Sequence, residues 1–123
     1  EILTNLNSEQ LALEYNRAQL CVYSPVQEPF GLVPLEAMAC GTPVLGVAEG
    51  GVRESVLDGM TGRLTPRDAG LFAAALLDLL DNPTELKRLG ENGVSFVGEK
   101  WTWEGSSKEL GRHLLDVAGN QTL

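Results

Sequence analysis

Glu28 and Glu36 are separated by seven residues, and Phe30-Gly31-Leu32 and Pro34 lie between them. Carboxylates accept hydrogen bonds, so two at this spacing can address two sets of hydroxyls on one ligand. Pro34 suits the first turn of a helix. The free N–H groups and positive dipole end of such a helix attract an anion such as a diphosphate. Gly31 lets the backbone approach a ligand closely. Gly50-Gly51, just after a further apolar run, offers a second place for close approach. A nucleotide sugar, with phosphates flanked by hydroxylated rings, needs these groups together. Dipole attraction supplies only ~0.3–1 kcal/mol, so it orients the anion without holding it. Each hydrogen bond from a ribose diol to Glu36 is worth ~1.5–3 kcal/mol.

Plainer accounts stand beside these. Glu36 in a first helical turn is stabilised by the dipole, Glu28 is a solvated loop carboxylate, and Gly50-Gly51 is a turn. Glu54 reads as a local cap or ion-pair partner. Neither a Walker A sequence nor GxGxxG is present, so NTPase and dinucleotide readings lack their own signals.

The elements that must position these residues follow from periodicity. Glu1 to Leu3 reads as the end of a strand. Ser8 reads as an N-cap, followed by Leu11, Tyr15 and Ala18 at helical spacing. Leu20 to Tyr23 is a buried strand ended by Ser24-Pro25. Gly41 suits the C-terminal stop of the helix that carries Pro34. Pro43 to Val47 is a second buried strand, Val52 to Leu57 a short helix closed by Asp58-Gly59, and Gly62 to Leu64 a third strand. Asp68 caps a helix with Phe72, Leu76, Leu79 and Leu80 on one face. Asn82-Pro83-Thr84-Glu85 opens another in the manner of a capping box, with Leu86, Leu89, Val94 and Val97 inward. Thr102 caps a last helix whose stripe of Trp103, Leu110, Leu114 and Val117 reads as packing. Glu104 and Lys108 pair on its exposed side. Short apolar strands alternating with helices predict an α/β, Rossmann-like parallel sheet of three to four short strands. In such sheets ligands sit at the carboxyl ends of the strands, which is where Ser24 to Val33 lies.

The chain has 123 residues, enough for one small domain. Its net charge of −8 argues against nucleic acid and against anionic membrane surfaces. Cys21 and Cys40 read as buried free thiols, and the single His113 as a solvated helical residue. These do not form a zinc site, and no metal or cofactor is expected. No apolar run is long enough to span a membrane. Asn120-Gln121-Thr122 matches a glycosylation acceptor, a triplet common by chance.

Glu28-Pro29-Phe30-Gly31-Leu32 through Glu36-Ala37-Met38-Ala39-Cys40-Gly41-Thr42-Pro43-Val44 resembles the signature of the family 4 glycosyltransferases. Gly50-Gly51, Glu54, Asp58-Gly59, Thr61-Gly62 and Trp101-Thr102-Trp103 extend the likeness over most of the chain. The resemblance implies a retaining enzyme of the GT-B fold that uses a nucleotide sugar without a bound metal. It implies that Glu28 is catalytic, contacting donor-sugar hydroxyls and favouring charge at the anomeric carbon. It implies that the amides of Phe30, Gly31 and Leu32 bind the distal phosphate and the sugar. Glu36 would hold the ribose, and Gly50 and Gly51 would keep a wall of the donor cleft clear. It implies further that residues 1–123 are part of a C-terminal donor-binding domain. The N-terminal acceptor domain, and the upstream half that carries the diphosphate-clamping Arg and Lys, would lie outside it. On this reading the chain is inactive alone, and self-associates through surfaces left uncovered. The parent works in the cytoplasm, either free or peripheral to a membrane, on a glycan, lipid or small-molecule acceptor. A sugar-nucleotide epimerase or glycan phosphorylase of the same fold, and a non-enzymatic assembly module, remain open alternatives.

Overall fold

The structure is a computed structural model, and it describes residues 1–119. The Asn120-Gln121-Thr122 triplet lies outside the described residues. The chain folds as α1 (Ser8–Arg17), β1 (Cys21–Tyr23), α2 (Leu32–Ala39), β2 (Val44–Val47), α3 (Val52–Ser55), β3 (Gly62–Thr65), α4 (Ala69–Leu80), α5 (Pro83–Lys100) and α6 (Trp103–Gly119). The three strands form one parallel sheet in the order β1-β2-β3. Tyr23 stands beside Gly46, and Gly46 beside Leu64. The three strands therefore end within one residue of each other, and the loops that leave them open at one rim of the sheet.

The central strand β2 is buried along its whole length, as its Val-Leu-Gly-Val sequence requires. Val44 faces a cluster with Leu35, Ala37, Met38, Val52 and Val56. Leu45 faces the other side, with Leu79 and Leu89. The sheet thus has α2 and α3 on one face and α4 on the other. Helix α5 contributes Leu89 to one cluster and Phe96 and Val97 to the other.

Several expectations change. No strand forms over Glu1 to Leu3, which is exposed and has no ladder partner. The cap of α1 is Asn7, whose side chain accepts from Gln10 while Gln10 reaches back, and Ser8 is already helical. β1 is only half buried: it is an edge strand, and α4 lies over β2 and β3, leaving Val22 open. Leu80 is exposed at the end of α4, where Leu79 is the buried residue, and Val94 is exposed because the inward face of α5 runs through Leu89, Gly90 and Gly93 instead.

Asp68 caps α4 through the Leu71 amide, Asn82 caps α5 through the Glu85 amide, and Thr102 accepts from the Gly105 amide, as read from the sequence. Glu104 and Lys108 pair at 2.8 Å. The apolar stripe of α6, by contrast, is exposed rather than buried. Trp103 is 93% exposed, and Leu110, Leu114 and Val117 are exposed as well; α6 makes its main contact with α5. Both cysteines are free and half buried, and burial pushes the Cys21 thiol up to about 11.

Candidate functional site

The loop from Ser24 to Gly31 carries the chain from the end of β1 into α2. Gly31 is its last residue and takes a left-handed φ of +83°, a conformation glycine adopts without steric cost. That turn starts α2 at Leu32, two residues ahead of Pro34. Gly31 has no side chain to cap the helix, and Glu28 instead ties the two amides just ahead of it. Its Oε1 accepts from the Gly31 amide at 3.1 Å and the Phe30 amide at 3.4 Å. Its Oε2 accepts from the Tyr23 hydroxyl at 3.0 Å. The Gly31 amide first, then the Tyr23 hydroxyl and the Phe30 amide, hold the Glu28 carboxyl below its usual range. The next amides, of Leu32 and Val33, lie in the first turn and have no intrahelical acceptor.

Because α2 begins at Leu32, Glu36 is in its second turn, and no acidic residue occupies the first. The dipole account of Glu36 therefore fails. Glu36 is exposed, and its Oε2 accepts from the Tyr15 hydroxyl of α1 at 3.3 Å. Burial, and then the Glu36 charge, push the Tyr15 phenol well above its ordinary value. The chain has two tyrosines, and each donates to one of the two acids.

Gly50 and Gly51 lie directly on the backbone of the Glu28 loop. The Gly51 amide donates to the Glu28 carbonyl at 3.0 Å. A Cβ on Gly51 would sit 2.3 Å from the Phe30 Cα, and one on Gly50 would sit 2.3 Å from the Glu28 carbonyl oxygen. The pair is bare because two backbones meet there. Phe30, Leu32 and Glu36 share the wall of one cavity of about 480 Å3 with Val97, Trp101 and Trp103. In it the Phe30 and Trp101 rings meet edge to face, with centroids 5.4 Å apart. Glu28, Gly31, Gly50 and Gly51 form the tied loop beside it.

Arg67, just past β3, joins the rim. Its Nε and Nη2 fork onto the Glu49 carboxylate at 2.8–3.0 Å, and Nη2 also donates to the Pro25 carbonyl. Sequence reasoning did not find Tyr15, Tyr23 or Arg67. The one available signal was position, since Tyr23 and Arg67 each stand at the carboxyl end of a strand. Among the described residues, no three His, Cys, Asp or Glu side chains cluster as metal ligands.

The chain as a whole has parallels in known proteins. The profile described as glycosyl transferases group 1 matches residues 1–96. D-inositol 3-phosphate glycosyltransferase 2 of Catenulispora acidiphila is 38% identical over 103 residues, which is 83% of this chain and 24% of that protein. Sucrose-phosphate synthase of Thermosynechococcus elongatus superimposes with a TM-score of 0.82 at 36% identity, over 98% of this chain and 31% of that one. HepE of Anabaena, solved in complex with UDP, superimposes with a TM-score of 0.75 at 25% identity, over 84% of this chain and 29% of that one. The chain spans about a quarter of the length of the curated relative, 24%. Its α/β fold, with three parallel strands and flanking helices, is the one read from its sequence, and the chain belongs to the group 1 glycosyltransferases.

Proposed function

We propose that this chain is the donor-binding part of a longer, retaining glycosyltransferase that moves a sugar from a nucleoside-diphosphate sugar to an acceptor. The carrying observation is the Glu28 carboxylate on the Phe30 and Gly31 amides, 3.4 and 3.1 Å away. Those amides already bind an anion, and a phosphate needs the same donors. Glu36 stands one turn further along α2, where a ribose diol linked to that phosphate comes within reach. The sugar-transferring relatives and the UDP complex of HepE support the same assignment.

When the donor arrives, its distal phosphate takes the Phe30, Gly31 and Leu32 amides and Glu28 turns to the sugar hydroxyls. The bond from the anomeric carbon to the diphosphate oxygen then breaks. Negative charge gathers on the leaving diphosphate, where preorganised amides stabilise it without reorganisation. The acceptor oxygen bonds to the anomeric carbon, and its proton leaves to the departing phosphate. Glu28 is assigned no nucleophilic role. The reaction uses no metal and takes place in the cytoplasm. No helix among the described residues is long and apolar enough to cross a membrane. The 123-residue chain is inactive alone and self-associates through the exposed stripe of α6.

The test is a panel of nucleotide sugars offered to the full-length protein, read by released nucleoside diphosphate. Release that depends on an acceptor supports transfer. Epimerised donor without transfer, or phosphorolysis of a glycan, would assign the site to those chemistries instead. Absence of any binding would leave an assembly module.

A further inference from the structure

We infer that Arg67 is a positioning residue for sugar transfer, acting through the Glu28 loop; the inference rests on the function proposed above. The three strands end within one residue of each other, and a different loop leaves each: Ser24 to Gly31 after β1, Ala48 to Gly51 after β2, and Pro66 to Asp68 after β3. Arg67 touches all three. It belongs to the third loop, grips Glu49 of the second with both Nε and Nη2, and donates from Nη2 to Pro25 of the first. Pro25 lies three residues before Glu28, and Glu49 two residues before Gly51. The Gly51 amide then closes the circuit on the Glu28 carbonyl. Phe30 and Gly31 are thus held from one side by Gly51 and from the other through Pro25.

The geometry depends on a guanidinium. A planar fork spans both carboxylate oxygens and still has an N–H for the carbonyl, whereas a lysine ammonium is a point donor that cannot fix this orientation. The pair is also more than a third exposed, with Arg67 at 41% and Glu49 at 43%, so its loss does little to the core. The clamp acts on the part of the site nearest the breaking bond. Glu36, on α2 and tied to Tyr15, keeps the ribose contact when the clamp is lost. Arg67 should therefore govern turnover more than donor affinity.

The test uses the full-length protein with the donor found by the nucleotide-sugar panel. Arg67→Ala should lower kcat roughly ten- to hundredfold, the effect of a small misplacement of catalytic groups, with the donor KM changed less than about threefold. Arg67→Lys should stay close to Arg67→Ala. The melting temperature should hold, and hydrogen exchange at the Gly51 and Gly31 amides should quicken. Arg88 is a matched control: it forks onto Glu85 and donates to the Gly59 carbonyl near the other end of β3. Arg88→Ala should leave kcat unchanged. Wild-type turnover with an unaltered kcat in Arg67→Ala overturns the clamp and leaves the proposed function standing. So does a fall in kcat that Arg88→Ala reproduces, or one that only tracks a lower melting temperature. A wild-type protein that binds no nucleotide sugar overturns the proposed function, and the clamp's role with it.

Discussion

The carboxylate of Glu28 accepts the backbone hydrogen of Gly31 at 3.1 Å, so an acid assigned to the donor sugar sits on the amides assigned to the phosphate. The loop supplies its own anion. That contact orders the turn ahead of α2 before any ligand is present, and it must open when a phosphate binds. Glu28→Gln therefore separates two effects. Transfer should fall about tenfold or more, since a charged acceptor is lost from the sugar side of the site. Binding of the nucleoside diphosphate alone should not weaken, because a negative competitor has left the seat. Steady-state kinetics, and calorimetry with the nucleoside diphosphate of the donor found by the panel, read the two separately. Equal losses in both would show that Glu28 contributes to phosphate binding itself.

The same contact sets a pH dependence. Hydrogen bonds from Gly31, Tyr23 and Phe30 lower the Glu28 carboxyl below the ordinary glutamate value of 4.5. A lowered folded value means that the loop's stabilisation is fully present above 4.5 and is lost as pH falls through the lower, folded value. The Phe30 and Gly31 amide resonances should titrate together with a midpoint below 4.5. A midpoint above 4.5 would mean the carboxylate is not held there.

Glu36 has a different neighbourhood and a different expected outcome. It is exposed, with only the Tyr15 hydroxyl at 3.3 Å, and so keeps acceptor capacity for a diol. Glu36→Ala should weaken donor binding by ~1.5–3 kcal/mol, more than tenfold, with little change in melting temperature. Tyr15→Phe should cost less, ~0.5–1.5 kcal/mol, since it removes one hydrogen bond to the acid. Titration of each variant with the donor measures both, and unaltered affinity in Glu36→Ala would remove the ribose assignment.

A methyl group at residue 51 would test the meeting of the two backbones. It would lie 2.3 Å from the Phe30 Cα, where neither chain can yield by a side-chain rotation. Gly51→Ala should destabilise the fold by ~1–3 kcal/mol, as overpacking does, and abolish detectable donor binding by displacing Phe30. Thermal melting and calorimetry give the two readings. A variant that melts and binds like the wild type would mean that the loops do not touch in solution.

The sequence made much of this legible, and the failures share one cause. The β2 strand, the Asp68 and Asn82 caps and the placement of the two acids near a helix start depend on local pattern, which periodicity and capping chemistry report directly. Glu36 was expected in the first turn because Pro34 marked the helix start. Gly31, in its left-handed conformation, instead lets α2 begin earlier. The Tyr15, Tyr23 and Arg67 contacts join residues from separate elements or loops, and spacing along the chain carries no trace of them. The stripe on α6 shows the opposite limit: helical periodicity predicted an apolar face correctly and could not say what, if anything, would cover it.

The edge-to-face contact of Phe30 with Trp101 gives the donor loop an optical reporter. The chain has two tryptophans, and the other, Trp103, is 93% exposed, so its emission is already that of an indole in water. Replacing Trp103 with Phe leaves a single tryptophan whose ring rests against the turn proposed to take the phosphate. Any rearrangement of that turn when Glu28 gives way to a nucleotide will register as a change in its colour and brightness, in real time and without a label.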